Sequence, residues 1–497
     1  MPPQKRHNPA GSATSSKRQR QHPAPSRETV AIPDRLQEVI DKIGGKRSLF
    51  ELKFPLDDLD GVERLAWGLD QRAVSVIVRL EFLQGENKSS GHARFCVHSS
   101  TDPEKTSHQY SSTISDAGTC FANPCSPRST ILTCVLSRQL FGLLGLRGCR
   151  DLGTIYDRAI ELIKSDPTER CLICGKKYEV KVYTPTACLG NCMDTLDRWP
   201  LRARLSHLLS DTKVLDFMLC CIYTAVEGQE ECPDQYETKS SLLVGCPLGL
   251  DKIQPAIDSF PKISDELGLH QLLTSGKKRL SISQRQLLSW LALRLRGCIV
   301  SLTQDADFFI QGQGLEGSHQ FMLLNARLER QQAFMEERLK VDMGSVAFHG
   351  ARAPRVFSII TDALRNMVSE PYQVSEAGVF YSDNPGYSYT YTQRDIQLKA
   401  WKQSWFFGQD WSVLFGLQVA LPRIPFEDNE HSTRRESTLM IRHIFLLPAL
   451  TFSRLPDPAH ELYLLQIDQD AMKKAYEILE YRRLSSQHIG LGKPAGT

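Results

Sequence analysis

The chain has 497 residues, enough for two or three domains, with 41% hydrophobic and 24% charged residues and a formal net charge of +3. A near-neutral balance speaks against a general nucleic-acid binder, which needs clustered Lys and Arg. No apolar run reaches the ~18 residues of a membrane span, and no signal-peptide core opens the chain. Fourteen cysteines without a secretion signal point to reduced thiols or metal in a soluble intracellular protein, nuclear or cytoplasmic.

Residues 1–34 are rich in Pro, Ser, Gln and basic side chains and poor in aliphatics, so a disordered basic tail is expected. Lys5-Arg6 and Lys17-Arg18-Gln19-Arg20, separated by ten residues, have the spacing of a bipartite nuclear-import signal; a plain solvated tail is the alternative. Beyond this tail nothing indicates nucleic acid. Residues 35–165 read as a small α+β module. A short helix is expected over Arg35–Ile43, strands over Val74–Phe82 and Ala93–His98, and an amphipathic helix over Leu152–Lys164. Modules of this size include ubiquitin-conjugating-like and RWD-like adaptors, and no catalytic constellation stands out.

Residues 166–300 begin with a cysteine cluster and continue as helices, for example over Lys213–Thr224 and Ser283–Leu295. Cys171 and Cys174 form a CxxC, and Cys188 and Cys192 follow after thirteen residues. Two close thiol pairs suit tetrahedral zinc, and four cysteine ligands leave no open position, so the metal would be structural. A β-hairpin over Glu179–Tyr183 is expected between the pairs, with Gly175 in the turn after Cys174. The alternative is buried free cysteine, the reading preferred for Cys220 and Cys221.

Gly312-Gln313-Gly314-Leu315-Glu316-Gly317 formally spells GxGxxG, after the apolar Phe308-Phe309-Ile310 and before an expected helix over Leu323–Leu339. A dinucleotide fold needs a continuing βα alternation, which is missing here, so a glycine loop is expected. From residue 301 onward short strands alternate with helices. Strands are expected over Ser345–His349, Gly378–Ser382, Trp411–Leu421 and Leu439–Leu447, and helices over Pro354–Leu364 and Gln469–Arg483.

Breaking NAD+ at its nicotinamide bond requires a carboxamide clamp, an aromatic wall and a polar group on the ribose. Gly350 can bring bare backbone to a ligand, His349 offers an imidazole, and Ser388 and Tyr391 fall on one face of a helical turn. His349-Gly350, Ser358-Ile359 and Leu364, then Gly378-Val379-Phe380-Tyr381-Ser382 and Ser388-x-x-Tyr391, resemble the signature blocks of the poly(ADP-ribose) polymerase superfamily. With the cysteine cluster and Ser318-His319-Gln320-Phe321, they are similar to its cysteine-rich mono-ADP-ribosyltransferase branch. The resemblance spans about residues 168–450.

It implies an α+β protein. A split antiparallel β-sheet core of the ADP-ribosyltransferase type would occupy residues 301–497, preceded by the four-cysteine zinc knuckle and helical region and by the small N-terminal module. His349 would hold the nicotinamide ribose, Gly350 and Ser388 the carboxamide, and Tyr391 would stack on the ring. Phe380 stands at a position usually tyrosine and keeps only the wall, while Tyr381 points to the other strand face. Counting back without gaps from Ile441-Arg442-His443-Ile444-Phe445 places Glu430 at the family's glutamate; loop solvation by Glu427, Asp428, Glu430 and Glu436 is the alternative. The implied activity consumes NAD+ to place a single ADP-ribose on protein side chains. A catalytically weak or inactive module that binds NAD or ADP-ribose remains the alternative.

Overall fold

The computed structural model describes residues 47–59, 64, 66–69, 73–84, 91–100, 112–114, 130–146, 151–231, 242–263, 280–341, 344–365, 378–392, 396–421, 431–449 and 465–485. The basic tail, the helix expected over Arg35–Ile43 and Glu430 lie outside the described residues. The protein is a mixed α+β structure with antiparallel sheets.

The first sheet is a meander of β1 (Arg47–Pro55), β2 (Ser75–Gln84), β3 (Gly91–Ser100) and β4 (Ser112–Ile114). Alternation in Ser75-Val76-Ile77-Val78-Arg79-Leu80 puts Val76, Val78 and Leu80 on one apolar face. Two helices cover it: α1 (Ile131–Phe141), started by a Thr130/Thr133 capping box, and α2 (Leu152–Ile163), capped by Asp151. The same core also takes in Leu172, Trp199 and Ala203 from the segment that follows.

Helix α3 (Thr212–Glu231) is the spine of the central region, with α4 (Leu250–Asp258) and α5 (Ile282–Arg294) beside it. Its Asp216 is fully buried and accepts bonds from Trp401 Nε1 (2.7 Å), Ser404 Oγ (2.8 Å) and Trp405 N (2.6 Å). This ties the loop before the last strands to the helix. Cys220 and Cys221 are buried free thiols in the same helix, as expected.

The second sheet is built from β5 (Cys298–Leu302), β6 (His319–Asn325), β7 (Ser345–Ala351), β9 (Trp411–Val419) and β11 (Leu439–Pro448). Its order is β5-β6-β11-β9-β7, all antiparallel. A two-stranded sheet of β8 (Val379–Tyr381) and β10 (His431–Thr433) stands beside β7. All nine residues of β9 are buried, because the sheet is covered on both faces. Val413, Phe415 and Leu417 pack toward α3 and its neighbours, while Leu414, Phe445 and Leu447 pack toward α9 (Gln469–Ser485) through Met472, Tyr476 and Leu479. Helix α6 (Leu328–Arg338) lies between β6 and β7, α7 (Val356–Asp362) follows β7, and α8 (Pro385–Thr390) follows β8.

Two local expectations fail. Glu179–Tyr183 is not a hairpin; its backbone bonds elsewhere, with Val182 N donating to Thr168 O (3.2 Å) and Tyr183 N to Asn325 Oδ1 (2.6 Å). The segment is held to β6 and has no strand partner of its own among the described residues. The helix expected over Leu323–Leu339 begins only at Leu328, because residues 323–325 complete β6 between β5 and β11. The glycines of residues 312–317 therefore lead into a strand, which removes the dinucleotide geometry; Gly312 instead packs against the carbonyl of Gln466.

Candidate functional site

The cysteine cluster is the most local of the sites. Cys171, Cys174, Cys188 and Cys192 bring their sulfurs within 4.8 Å of one another. A tetrahedral centre of one zinc and four thiolates, with bonds of ~2.3 Å, has S–S edges of ~3.8 Å, and Cys174 Sγ and Cys188 Sγ stand 3.7 Å apart. The first loop closes as a tight turn in which Gly175 takes the left-handed conformation (φ 74°). The N–H groups of Ile173 (3.4 Å), Cys174 (3.5 Å) and Cys188 (3.3 Å) point at Cys171 Sγ. Burial works to raise this thiol, and the three N–H groups outweigh it and bring it down to about 7. Burial and the neighbouring sulfurs push Cys188 up to about 12 and Cys192 up to about 11. Four sulfurs this close repel one another's negative charge, and a divalent cation relieves that repulsion. The donor set and spacing fit a structural metal such as zinc, which Cys171, Cys174, Cys188 and Cys192 would hold with no position left for substrate.

The second site forms on the edge of β7 away from β9, which beyond Phe348 has no strand partner among the described residues. One edge of this strand pairs with β9. On its other edge Phe348 N donates to Ser382 O (2.6 Å) and Ser382 N to Phe348 O (2.9 Å). By the alternation of an antiparallel strand, the N–H and C=O of Gly350 point the same way as those of Phe348. Helix α8 arrives at this point, capped by the Asn384 side chain with Pro385 in its first turn. A Cβ on Gly350 would lie 1.8 Å from Ser388 O and 3.1 Å from the Tyr391 Cβ. Glycine is thus required by the approach of α8, and the same approach sets Ser388 and Tyr391 beside the bare backbone.

His349, two residues from Ala347 and Ala351, shares their strand face. Its Nδ1 lies 2.7 Å from Phe380 O. With Nδ1 as the donor to this carbonyl, Nε2 is left as an acceptor. Burial holds the imidazole below its ordinary pKa, against the opposing pull of the Phe380 carbonyl, so the neutral ring is favoured. Phe380 is 41% exposed, whereas Tyr381 is buried and packs on His431, which places the two on opposite faces of β8.

Ser388 is buried, and its Oγ donates to Phe348 O at 3.0 Å. Tyr391 sits at the C-terminal end of α8, its hydroxyl 3.2 Å from that of Tyr387. The structure therefore gathers Gly350, Ser388 and Tyr391 at one point of the outer edge of β7, with His349 and Phe380 joined to each other beside it. Glu430 falls outside the described residues, and the chain is next described at His431, opposite Tyr381 on β10.

Tyr387 is a member of the cleft that sequence reasoning overlooked; its spacing four residues before Tyr391 is the signal that places both on one helix face. His319 is half-buried, its ring against Phe406 and Trp411, and desolvation and then Lys213 push it down to about 4. No helix among the described residues is long and apolar enough to cross a membrane. No family model and no curated protein matches the chain, so its chemistry is read from the geometry of these two sites.

Proposed function

We propose that the chain is an NAD+-dependent protein ADP-ribosyltransferase that places a single ADP-ribose on protein side chains and releases nicotinamide. The observation that carries this reading is the outer edge of β7 at Gly350, flanked by His349, Ser388 and Tyr391. One backbone N–H and one C=O, side by side at Gly350 with no strand partner among the described residues, match the acceptor and donor of a primary carboxamide. Tyr391 and the exposed Phe380 supply aromatic walls for a flat ring. The neutral His349 accepts a ribose hydroxyl through Nε2. The C–N bond to nicotinamide breaks with its electron pair going to the ring nitrogen, and the acceptor side chain then bonds to the anomeric carbon and loses its proton. A two-stranded sheet, β8–β10, splayed from the edge of a five-stranded antiparallel sheet supports a split-sheet core of the ADP-ribosyltransferase type. Phe380 brings no hydroxyl to the cleft, which favours single transfer over chain growth.

A second reading, a catalytically weak module that binds NAD or ADP-ribose, is favoured by the hydroxyl of Ser388, which already donates to Phe348 O. Incubation with labelled NAD+ separates the two. Label on the unmutated protein that disappears in His349→Ala is the expected result. NAD binding by calorimetry with no incorporated label selects the second reading, and neither binding nor label rejects both.

A further inference from the structure

A second cleft lies where the end of α7 meets the starts of α6 and β11. Its floor is apolar, formed by Leu323, Ile360 and Met440 among others. Arg327, Arg330 and Asp362 are its charged lining residues. Asp362, the last residue of α7, is largely buried and faces three guanidinium groups. Arg294 bonds it directly, and the NH1 of Arg327 and the NH2 of Arg365 each stand 3.6 Å from its Oδ1. Arg330, which lines the cleft together with Arg327, donates through NH2 to the carbonyls of Glu436 and Leu439.

One carboxylate does not neutralise the three guanidinium groups around it. Among the described residues only Glu436 adds a second negative charge near Arg330. The Nε–H groups of Arg294 and Arg330 are buried and have no acceptor among the described residues. Burial lowers the Arg330 pKa, and Arg327 and Arg365 lower it further by repulsion, against the opposing pull of Glu436. Buried donors without acceptors are rare in folded proteins, and each one asks for a partner. Backbone strain marks the same place. Ala363, directly after Asp362, takes φ 70°, the only left-handed non-glycine residue among the described ones.

We propose that this arginine cleft binds a dianionic phosphate group. A tetrahedral oxyanion offers several acceptor oxygens, and guanidinium forks match them in both geometry and charge. A carboxylate ligand supplies fewer acceptors and half the charge, and a cation is repelled. The site is separate from the His349 cleft, and its success or failure does not depend on the transferase reading. The shared chemistry covers free phosphate and the phosphate monoester of a modified side chain.

The test is thermal unfolding of the full chain in inorganic phosphate, O-phosphoserine or chloride at matched ionic strength. Phosphate is expected to raise the melting temperature saturably and chloride not to. O-phosphoserine acting equally well identifies an esterified group as the ligand, and its exclusion identifies the free anion. Two variants move the affinity in opposite directions. Arg327→Gln weakens phosphate binding about tenfold, and Asp362→Asn, which removes the competing carboxylate, tightens it about tenfold. Asp362→Asn also melts lower without phosphate and is rescued by it, a pattern that simple misfolding does not produce. A phosphate shift no larger than that in chloride, or an unchanged affinity in both variants, overturns the proposal.

Discussion

The sulfur cluster and the His349 cleft each gather a handful of side chains, but they close in different ways. The cluster lies within one stretch, Cys171 to Cys192, and two tight turns bring its sulfurs together. The cleft draws on three segments: His349 and Gly350 on β7, Phe380 on β8, and Ser388 and Tyr391 at the end of α8. These meet only because β7 is an edge strand and the two-stranded β8–β10 sheet leans against it. A local site is held by its ligand and its turns. A composite site is held by the packing of everything around it, so it should be sensitive to small changes in backbone approach.

Metal loss should give the largest effect in either region. Binding energies of ~10–16 kcal/mol are typical for structural zinc, so its removal should cost the knuckle its order. Elemental analysis should find one zinc per chain. Cys171→Ser or chelation should open residues 171–192 to proteolysis, whereas a metal-free chain with a protected knuckle would refute this. In the cleft, Gly350→Ala forces a Cβ to within 1.8 Å of Ser388 O. Because α8 must move, stability should fall by about 1–3 kcal/mol. Label incorporation should fall about a hundredfold as Ser388 and Tyr391 are displaced. Retained labelling in a folded Gly350→Ala protein would show that the approach of α8 does not matter.

Acid should loosen the sheet that carries the cleft before it harms the cysteine turns. His443 is fully buried on β11, with Nδ1 3.1 Å from Tyr476 Oη and Nε2 3.0 Å from Phe308 O. Burial pushes it down to about 4 from an ordinary 6.5, against the weaker pull of the Phe308 carbonyl. The unfolded chain therefore binds this proton first as pH falls. Stability is fully present above about 6.5 and is lost toward about 4, a contribution of about 3 kcal/mol at most. Asp216, pushed up to about 6 by burial against its three donors, works in the opposite sense, losing stability as pH rises through about 4 to 6. The difference between unmutated and His443→Gln unfolding curves isolates the histidine, and the variant should show the shallower acid limb. The smallest effect is expected from Phe380→Tyr. Its half-exposed side chain should leave stability within about 0.5 kcal/mol. Only the amount of ADP-ribose transferred should change, as read by the length of the attached label.

Much of the fold is legible in the sequence. The strand over Val74–Phe82 became β2, Ala93–His98 lies within β3, and the helix over Leu152–Lys164 became α2, because strict periodicity of two or 3.6 survives folding. Leu439–Leu447 became the sheet's central strand. The hairpin at Glu179–Tyr183 failed because its bonding partner, Asn325, is distant in sequence. The helix start near Leu323 failed because an apolar run of Phe321-Met322-Leu323-Leu324 suits either element, and neighbouring strands decided the outcome.

By itself the sequence determined the spacing of the four cysteines, the alternation of the strands, and the order in which His349, Gly350, Phe380, Ser388 and Tyr391 follow one another. These are properties of neighbouring residues, set by covalent geometry and local sterics. Only the tertiary structure decided that Arg442, a charged residue in mid-strand, is fully buried, its guanidinium bonded to the side-chain carbonyls of Gln418 and Gln331. The same holds for the carbonyl that orients His349, for the reason Gly350 must be glycine, and for the three arginines around Asp362. Burial, tautomer and charge balance depend on which distant segments pack together, and no window of sequence contains both partners.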